Sequence, residues 1–476
     1  MKTPVSSPTA IALLFAGGLA LVMAWVLAQA SLPLGLGVGV IVVVLFVAFV
    51  SNEAALYLLI FSMLLGPQLV AGDIGGGQLG RGLTLRLDDF LLVIVGVAWV
   101  AKTALYKEVG LVFRTPLNHS IAAYSFAAVF ATGLGILAGR VAVMGGIFFT
   151  LKYIQYFVIY FMVVNNLRER KQFERFLWAL LATCAIVSVI GMLQIPSGQR
   201  VSAPFEGPQG EPNTFGGYLV LMLALVAGLL MTTRSTRLKI VLPCLALVII
   251  TPIFFTLSRA SYLALIPLAL TLFVFSERKL FLAAFFAATL ALTPFFIPEA
   301  VVDRVRYTFS QPPEAGQKQL GGVRVDTSTS ARLESYEQVL LRDWLEHPLF
   351  GYGVTGYRFL DAQYPRTLAE TGLVGFLAFL WLQAALFREA YGVLKTTQDP
   401  LFRGVALGFL CGFVALITHA IGTNTFIIVR IMEPFWFLAG MVIMIPQLEA
   451  SQATPAVAAA SRPSWARRGR PLPIAS

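Results

Sequence analysis

The sequence predicts an all-α protein, a polytopic transmembrane helical bundle of about 14 spans with one long periplasmic loop containing an amphipathic helix. Three observations carry that prediction. Of 476 residues, 58% are hydrophobic and only 12% charged, too few polar side chains to coat a soluble globule of this size. The apolar residues come in runs of roughly 17 to 25, enough to cross a ~30 Å hydrocarbon core at about 1.5 Å per residue. Finally, most of the basic residues that interrupt these runs fall in alternate loops and so on one side.

The N-terminal transmembrane helices, 1–138, hold spans near 10–30, 33–50, 54–72, 88–104 and 118–138. Lys2, the first apolar run and Ala28-Gln29-Ala30 resemble a cleavable signal peptide. A run of about 20 residues exceeds a usual signal core, which favours a first span. The central helices, 139–298, hold spans near 145–166, 174–195, 213–232, 239–257, 260–276 and 279–298. Residues 299–366 form the long periplasmic loop, and loops of that length are uncommon unless functional. Within it, 311–329 reads as flexible, whereas 330–346 repeats Leu333, Tyr336, Leu340 and Trp344 at helical spacing, the mark of an amphipathic helix on the outer face. Spans near 367–387, 402–420 and 427–447 make up the C-terminal helices, 367–450; the basic cytoplasmic tail, 451–476, is rich in Ala, Ser and Arg and reads as disordered.

Orientation follows from charge. Lys102, Lys107, Arg114, the cluster Arg168 to Arg175, Arg234, Arg237, Arg278, Arg388, Arg403 and the tail arginines share one side, which the positive-inside rule makes cytoplasmic, with both termini there. The net charge of +11 therefore calls for no nucleic acid. Cys184, Cys244 and Cys411 are scattered through apolar segments and read as small hydrophobes.

What is left outside carries the chemistry. Arg259, in Thr256-Leu257-Ser258-Arg259-Ala260-Ser261, sits in a connection too short to lift a guanidinium from the lipid boundary. An unpaired charge there costs ~2.5 to 3.5 kcal/mol, so something anionic should face it. Lys152 lies about two turns into a span, where snorkelling to the interface is the bland alternative. Arg200 is either a ligand group above a span or an ordinary solvated loop charge. Arg332 and Arg342 on the amphipathic helix have Glu334, Glu337, Asp343 and Glu346 as possible surface partners. Because the guanidinium fork matches phosphate oxygens, arginines around an outer cavity suit a diphosphate at the membrane surface.

Two carboxylates stand near the mouth of the span at 367–387. Thr367 and Glu370 have capping-box spacing, which gives Glu370 a structural alternative. Asp361 has no such cap, and facing a cavity it would accept a proton from an attacking hydroxyl. His347 reads as part of a Pro/Gly turn, and His419 as within reach of the outer side. No metal-ligand spacing, P-loop or GxSxG occurs, so neither a metal nor another cofactor is implied.

At these residues the chain resembles the O-antigen ligase and polymerase superfamily of bacterial inner membranes, most clearly from about 140 to 440. The resemblance rests on Leu151-Lys152-Tyr153-Ile154-Gln155-Tyr156, the Arg200 to Tyr218 segment with Glu211-Pro212-Asn213, and Ser258-Arg259-Ala260. It continues through Ala331-Arg332-Leu333, His347-Pro348-Leu349-Phe350-Gly351-Tyr352-Gly353, and Leu368 to Gly375. It implies an inverting, metal-independent glycosyltransferase of the GT-C type with its active site facing the periplasm and a polyprenyl-diphosphate-linked oligosaccharide as donor. In that reading Arg200 and Arg259 hold the diphosphate, helped by Arg332 or Arg342, and flippase and chain-length regulator proteins are partners. Ligases of the family carry a His-Asn pair nine residues before the Glu of Leu-x-Glu-x-Gly-x-x-Gly, where this chain has Asp361-Ala362. That departure favours a polymerase over a ligase. A transporter would instead place ionisable residues in mid-span, and here the spans are nearly bare.

Overall fold

A computed structural model describes residues 46–47, 50–66, 68–70, 84–86, 89–96, 114–206 and 210–452. The expected span at 10–30, most of those at 33–50 and 88–104, and the tail lie outside the described residues, although 89–96 is helical. Among the described residues eight helices are long and apolar enough to cross a membrane, and the protein is a multi-pass membrane protein.

In chain order the apolar helices are α1 (Asn52–Leu65), α2 (Asn118–Leu137), α3 (Val143–Asn166), α4 (Arg170–Gln194), α5 (Pro212–Thr232), α6 (Leu238–Phe255), α7 (Arg259–Phe275) and α8 (Lys279–Phe296). After two helices of the long connection, α9 (Glu299–Ser310) and α10 (Thr327–Leu341), come α11 (Gln363–Thr396), α12 (Pro400–His419) and α13 (Val429–Gln452). Most of the expected spans fall on these helices. The span expected at 54–72 is a correction: the helix ends at Leu65, and β1 (Gln68–Val70) pairs antiparallel with β2 (Thr84–Arg86). Gly66 precedes proline in the sequence and caps α1 in extended backbone, the conformation that proline imposes on its predecessor.

Helices α5, α12 and α13 form the centre of the bundle. A glycine stripe on α12, Gly404, Gly408 and Gly412, lets α5 approach backbone to backbone: a Cβ on Gly408 would lie 2.6 Å from Leu225 Cα, and one on Gly228 2.3 Å from Gly408 N. Small residues at every fourth position are the usual means of close packing where lipid removes the hydrophobic drive. By contrast α8 exposes Leu280, Phe285, Leu290 and Phe295, the surface of a helix facing lipid.

The connection 299–366 is more ordered than its composition predicts. Segment 311–329 contains a hairpin, β3 (Gln319–Leu320) with β4 (Val323–Arg324), turned by Gly321 and Gly322 at φ 59° and 83°. Positive φ at both central residues is what such two-residue turns require. The helix expected at 330–346 is α10, capped by Asp326, whose carboxylate accepts from Thr329 N at 3.1 Å. Its inward face is Ser330, Ser335 and Val339, whereas Leu340, of the expected apolar stripe, is exposed. The other residues of that stripe, Leu333, Tyr336 and Trp344, are half-buried, and Trp344 packs against the cluster of Val339, Leu360, Leu368 and Ala369.

Candidate functional site

The site forms where α11 is broken. Gly372 has φ 63° and ψ −168°, and the segment 348–353 supplies the bonds that the broken helix lacks. Tyr352 N and Gly353 N donate to the carbonyls of Ala369 and Glu370, both at 2.9 Å, while Leu373 N donates to Pro348 O at 2.8 Å. The contact admits only glycine at two places: a Cβ on Gly351 would lie 2.4 Å from Ala369 O, and one on Gly372 2.4 Å from the Leu349 carbonyl carbon. The run from His347 to Gly353 thereby holds the first turns of α11, with Arg366 and Glu370, in place.

The capping-box reading of Glu370 is corrected by this geometry. Helix α11 begins at Gln363, so Glu370 lies two turns inside and Thr367 Oγ1 donates to Gln363 O instead. The Glu370 carboxylate is buried; it accepts from Tyr153 Oη at 2.6 Å, Arg366 Nε at 3.1 Å and Thr355 N at 3.4 Å.

Above this floor is a cavity of about 350 Å³ whose lining includes Lys152, Arg200, Glu211, Asn213, Asp361 and Arg366. Three of the residues singled out in the sequence, Lys152, Arg200 and Asp361, thus meet, although they span more than two hundred positions. Lys152 Nζ pairs with Asp89 at 2.7 Å, which also accepts from Gln155 at 3.1 Å. Snorkelling is not what Lys152 does. Arg200 is held at the C-terminus of α6, where Nε donates to Thr256 O at 2.9 Å and Nη2 to Leu257 O at 3.3 Å. Orphan carbonyls at a helix end favour a cation. Asp361 pairs with Arg332 at 3.0 Å, and its side chain stays 47% exposed towards the cavity.

Arg259 is placed differently. The anion facing it belongs to the chain itself: Nη1 lies 2.8 Å from Asp326 and 2.7 Å from Thr308 Oγ1, and Nη2 donates to Ser328. It does not line the 350 Å³ cavity. Its charge nevertheless counts, because burial, opposed only by Tyr262, together with the charges of Arg304, Arg259 and Arg332 lowers the Arg200 pKa to about 10. Arg342 sits exposed at the C-terminal end of α10, away from the cavity, and Glu370 lies below the lining.

Sequence reasoning missed Arg366 as a site residue and Arg304 as a member of the cluster, although both lie in the connection 299–366. Arg366 reaches the cavity because α11 starts early, and its guanidinium lies over the Phe359 ring at 5.5 Å. Asp89 and Asp326 carried no local signal, as their partners are 63 and 67 positions away. His419 does not reach the cavity; it is buried between Ser261 (3.2 Å) and Thr425 (2.8 Å).

Among the described residues the non-glycine residues with positive φ are Phe205, Leu257 and Thr355. All three adjoin the site: Leu257 O receives Arg200, Thr355 N meets Glu370, and Phe205 belongs to the loop beside the cavity. Strain of this kind persists where surrounding structure over-determines it, commonly at functional sites.

Residues 244–380 match the family model described as O-antigen ligase. Over that segment the chain is O-antigen ligase-like. The match runs from α6 to the broken part of α11 and so contains Arg259, Arg332, Asp361, Arg366 and Glu370, while Lys152 and Arg200 are supplied from outside it. It supports the O-antigen ligase/polymerase superfamily and a function of that type. No curated protein matches the chain.

Proposed function

We propose that the cavity binds the diphosphate of a polyprenyl-linked oligosaccharide on the periplasmic face of the inner membrane, and that the protein polymerises such units as an inverting glycosyltransferase. The observation that carries this reading is the convergence of Lys152, Arg200 and Arg366 on one cavity beside the half-exposed Asp361. Three cationic groups match a leaving diphosphate, and Arg259, Arg304 and Arg332 add to the field around it.

In the proposed reaction a hydroxyl of the acceptor sugar attacks the anomeric carbon from the face opposite the diphosphate. A new carbon–oxygen bond forms as the bond to the diphosphate breaks; the hydroxyl proton passes to Asp361 and the electron pair leaves on the diphosphate. Arg332 orients Asp361, and Glu370 with Tyr153 holds Arg366 in position. With a good leaving group, positioning and charge stabilisation supply the rate.

The description of the matching family favours a second reading, a ligase that transfers the glycan to another acceptor such as lipid A-core. Asp361-Ala362 in place of the family's His-Asn favours the polymerase. Purified protein in lipid, given a synthetic polyprenyl-diphosphate oligosaccharide with and without lipid A-core, separates the two. Multimers on the lipid diphosphate alone support the polymerase; product only with the core acceptor replaces it with a ligase, and no product in either arm removes the glycosyltransferase reading.

A further inference from the structure

A second, larger cavity of about 840 Å³ opens beside the first and shares Arg200, Gly210 and Pro212 with it. Its size falls within the ~300–1,000 Å³ of ligand sites. Its character is different: Gln194, Gln199 and Ser202 contribute uncharged polar groups, with Glu206 as its acid and Arg200 at the junction. The wall is braced, since Gln194 donates to Ser202 O and accepts from Ser202 N, both at 3.1 Å. At the rim Phe205 is 58% exposed with φ 61°. A bulky side chain is held in the left-handed region with its ring turned out of the core.

We infer that this second chamber is a glycan subsite, with Phe205 stacking on the apolar face of a pyranose, and that it takes the acceptor chain. The inference rests on the diphosphate reading of the first cavity. Neutral hydroxyls suit amides and a serine as partners, an aromatic face suits the C–H face of a sugar ring, and Arg200 links the chambers where donor and acceptor must meet.

The full chain in nanodiscs tests this with two separate probes. Cellotetraose, chitotetraose and mannotetraose serve as neutral glycans in saturation-transfer NMR, and farnesyl diphosphate reports the cationic cavity by titration. Phe205→Ala is expected to weaken glycan binding about tenfold, Phe205→Trp to retain it, and both to bind farnesyl diphosphate like the parent. Arg200→Ala should weaken farnesyl diphosphate binding. No saturation transfer from any of the three glycans, or an undiminished signal in Phe205→Ala, overturns the subsite. Farnesyl diphosphate binding indifferent to Arg200 overturns the diphosphate reading instead. In the transfer assay Phe205→Ala should raise the KM for acceptor about tenfold and leave that for donor unchanged; the reverse pattern overturns the assignment to acceptor.

Discussion

The floor and the rim of the site each contain an arginine paired with a carboxylate, and the two pairs differ in almost everything but their chemistry. On the floor, Arg366 and Glu370 have side chains only 9% and 5% exposed, lie one turn apart on α11, and share Tyr153. On the rim, Arg332 and Asp361 come from different segments and are 20% and 47% exposed. A buried pair cannot part without stranding a charge in a medium that solvates it poorly. A half-exposed pair exchanges partners at little cost. The floor is therefore suited to holding Arg366 still, and the rim to releasing a carboxylate to a substrate.

The largest effect is expected from Glu370→Ala, which leaves Arg366 uncompensated and should cost about 3–5 kcal/mol of stability, read as a fall in thermal midpoint in nanodiscs. A loss no greater than that of Arg332→Ala would erase the distinction between floor and rim. Next, Asp361→Asn should slow transfer by about 10²–10⁴-fold with an unchanged melting profile; full turnover would make Asp361 a loop residue. Arg332→Ala should cost under about 1 kcal/mol, while weakening transfer through the loss of Asp361's orientation.

A smaller effect concerns pH. Burial pushes the Asp326 carboxyl up, but hydrogen bonds from Thr329 and Arg259 outweigh it and hold the group below its ordinary 3.8. Because the folded value is depressed, its contribution to stability is complete above the unfolded value and is lost as pH falls through the folded one. Midpoints measured from pH 7 down to 3 should therefore fall less steeply at the acid end in Asp326→Asn than in the parent. The smallest effect is expected from Arg342→Ala, within about 0.5 kcal/mol and without change in transfer, since Arg342 is exposed and away from both cavities.

Hydropathy and period made most of the helices legible, because each depends on residues within one stretch of chain. Asp361 stood out because no cap accounted for it, and Lys152 and Arg200 because a charge in or beside an apolar run needs an explanation, which the cavity they share offers. Arg259 drew attention on the same ground, yet its partner proved to be Asp326, an ordinary loop acid in the sequence.

The sequence by itself determined that the chain is a helical membrane protein and that Asp361 stands where the resembling ligases carry a histidine. Only the tertiary structure decided which charges share a cavity, that Glu370 braces rather than caps, and that Arg366 belongs to the site. The reason is that helix formation responds to near neighbours, whereas the pairing of a charge is settled by whichever group the fold brings within about 3 to 4 Å. Asp89 and Lys152, Tyr153 and Glu370, and Arg332 and Asp361 are 63, 217 and 29 positions apart, and no local pattern records those meetings.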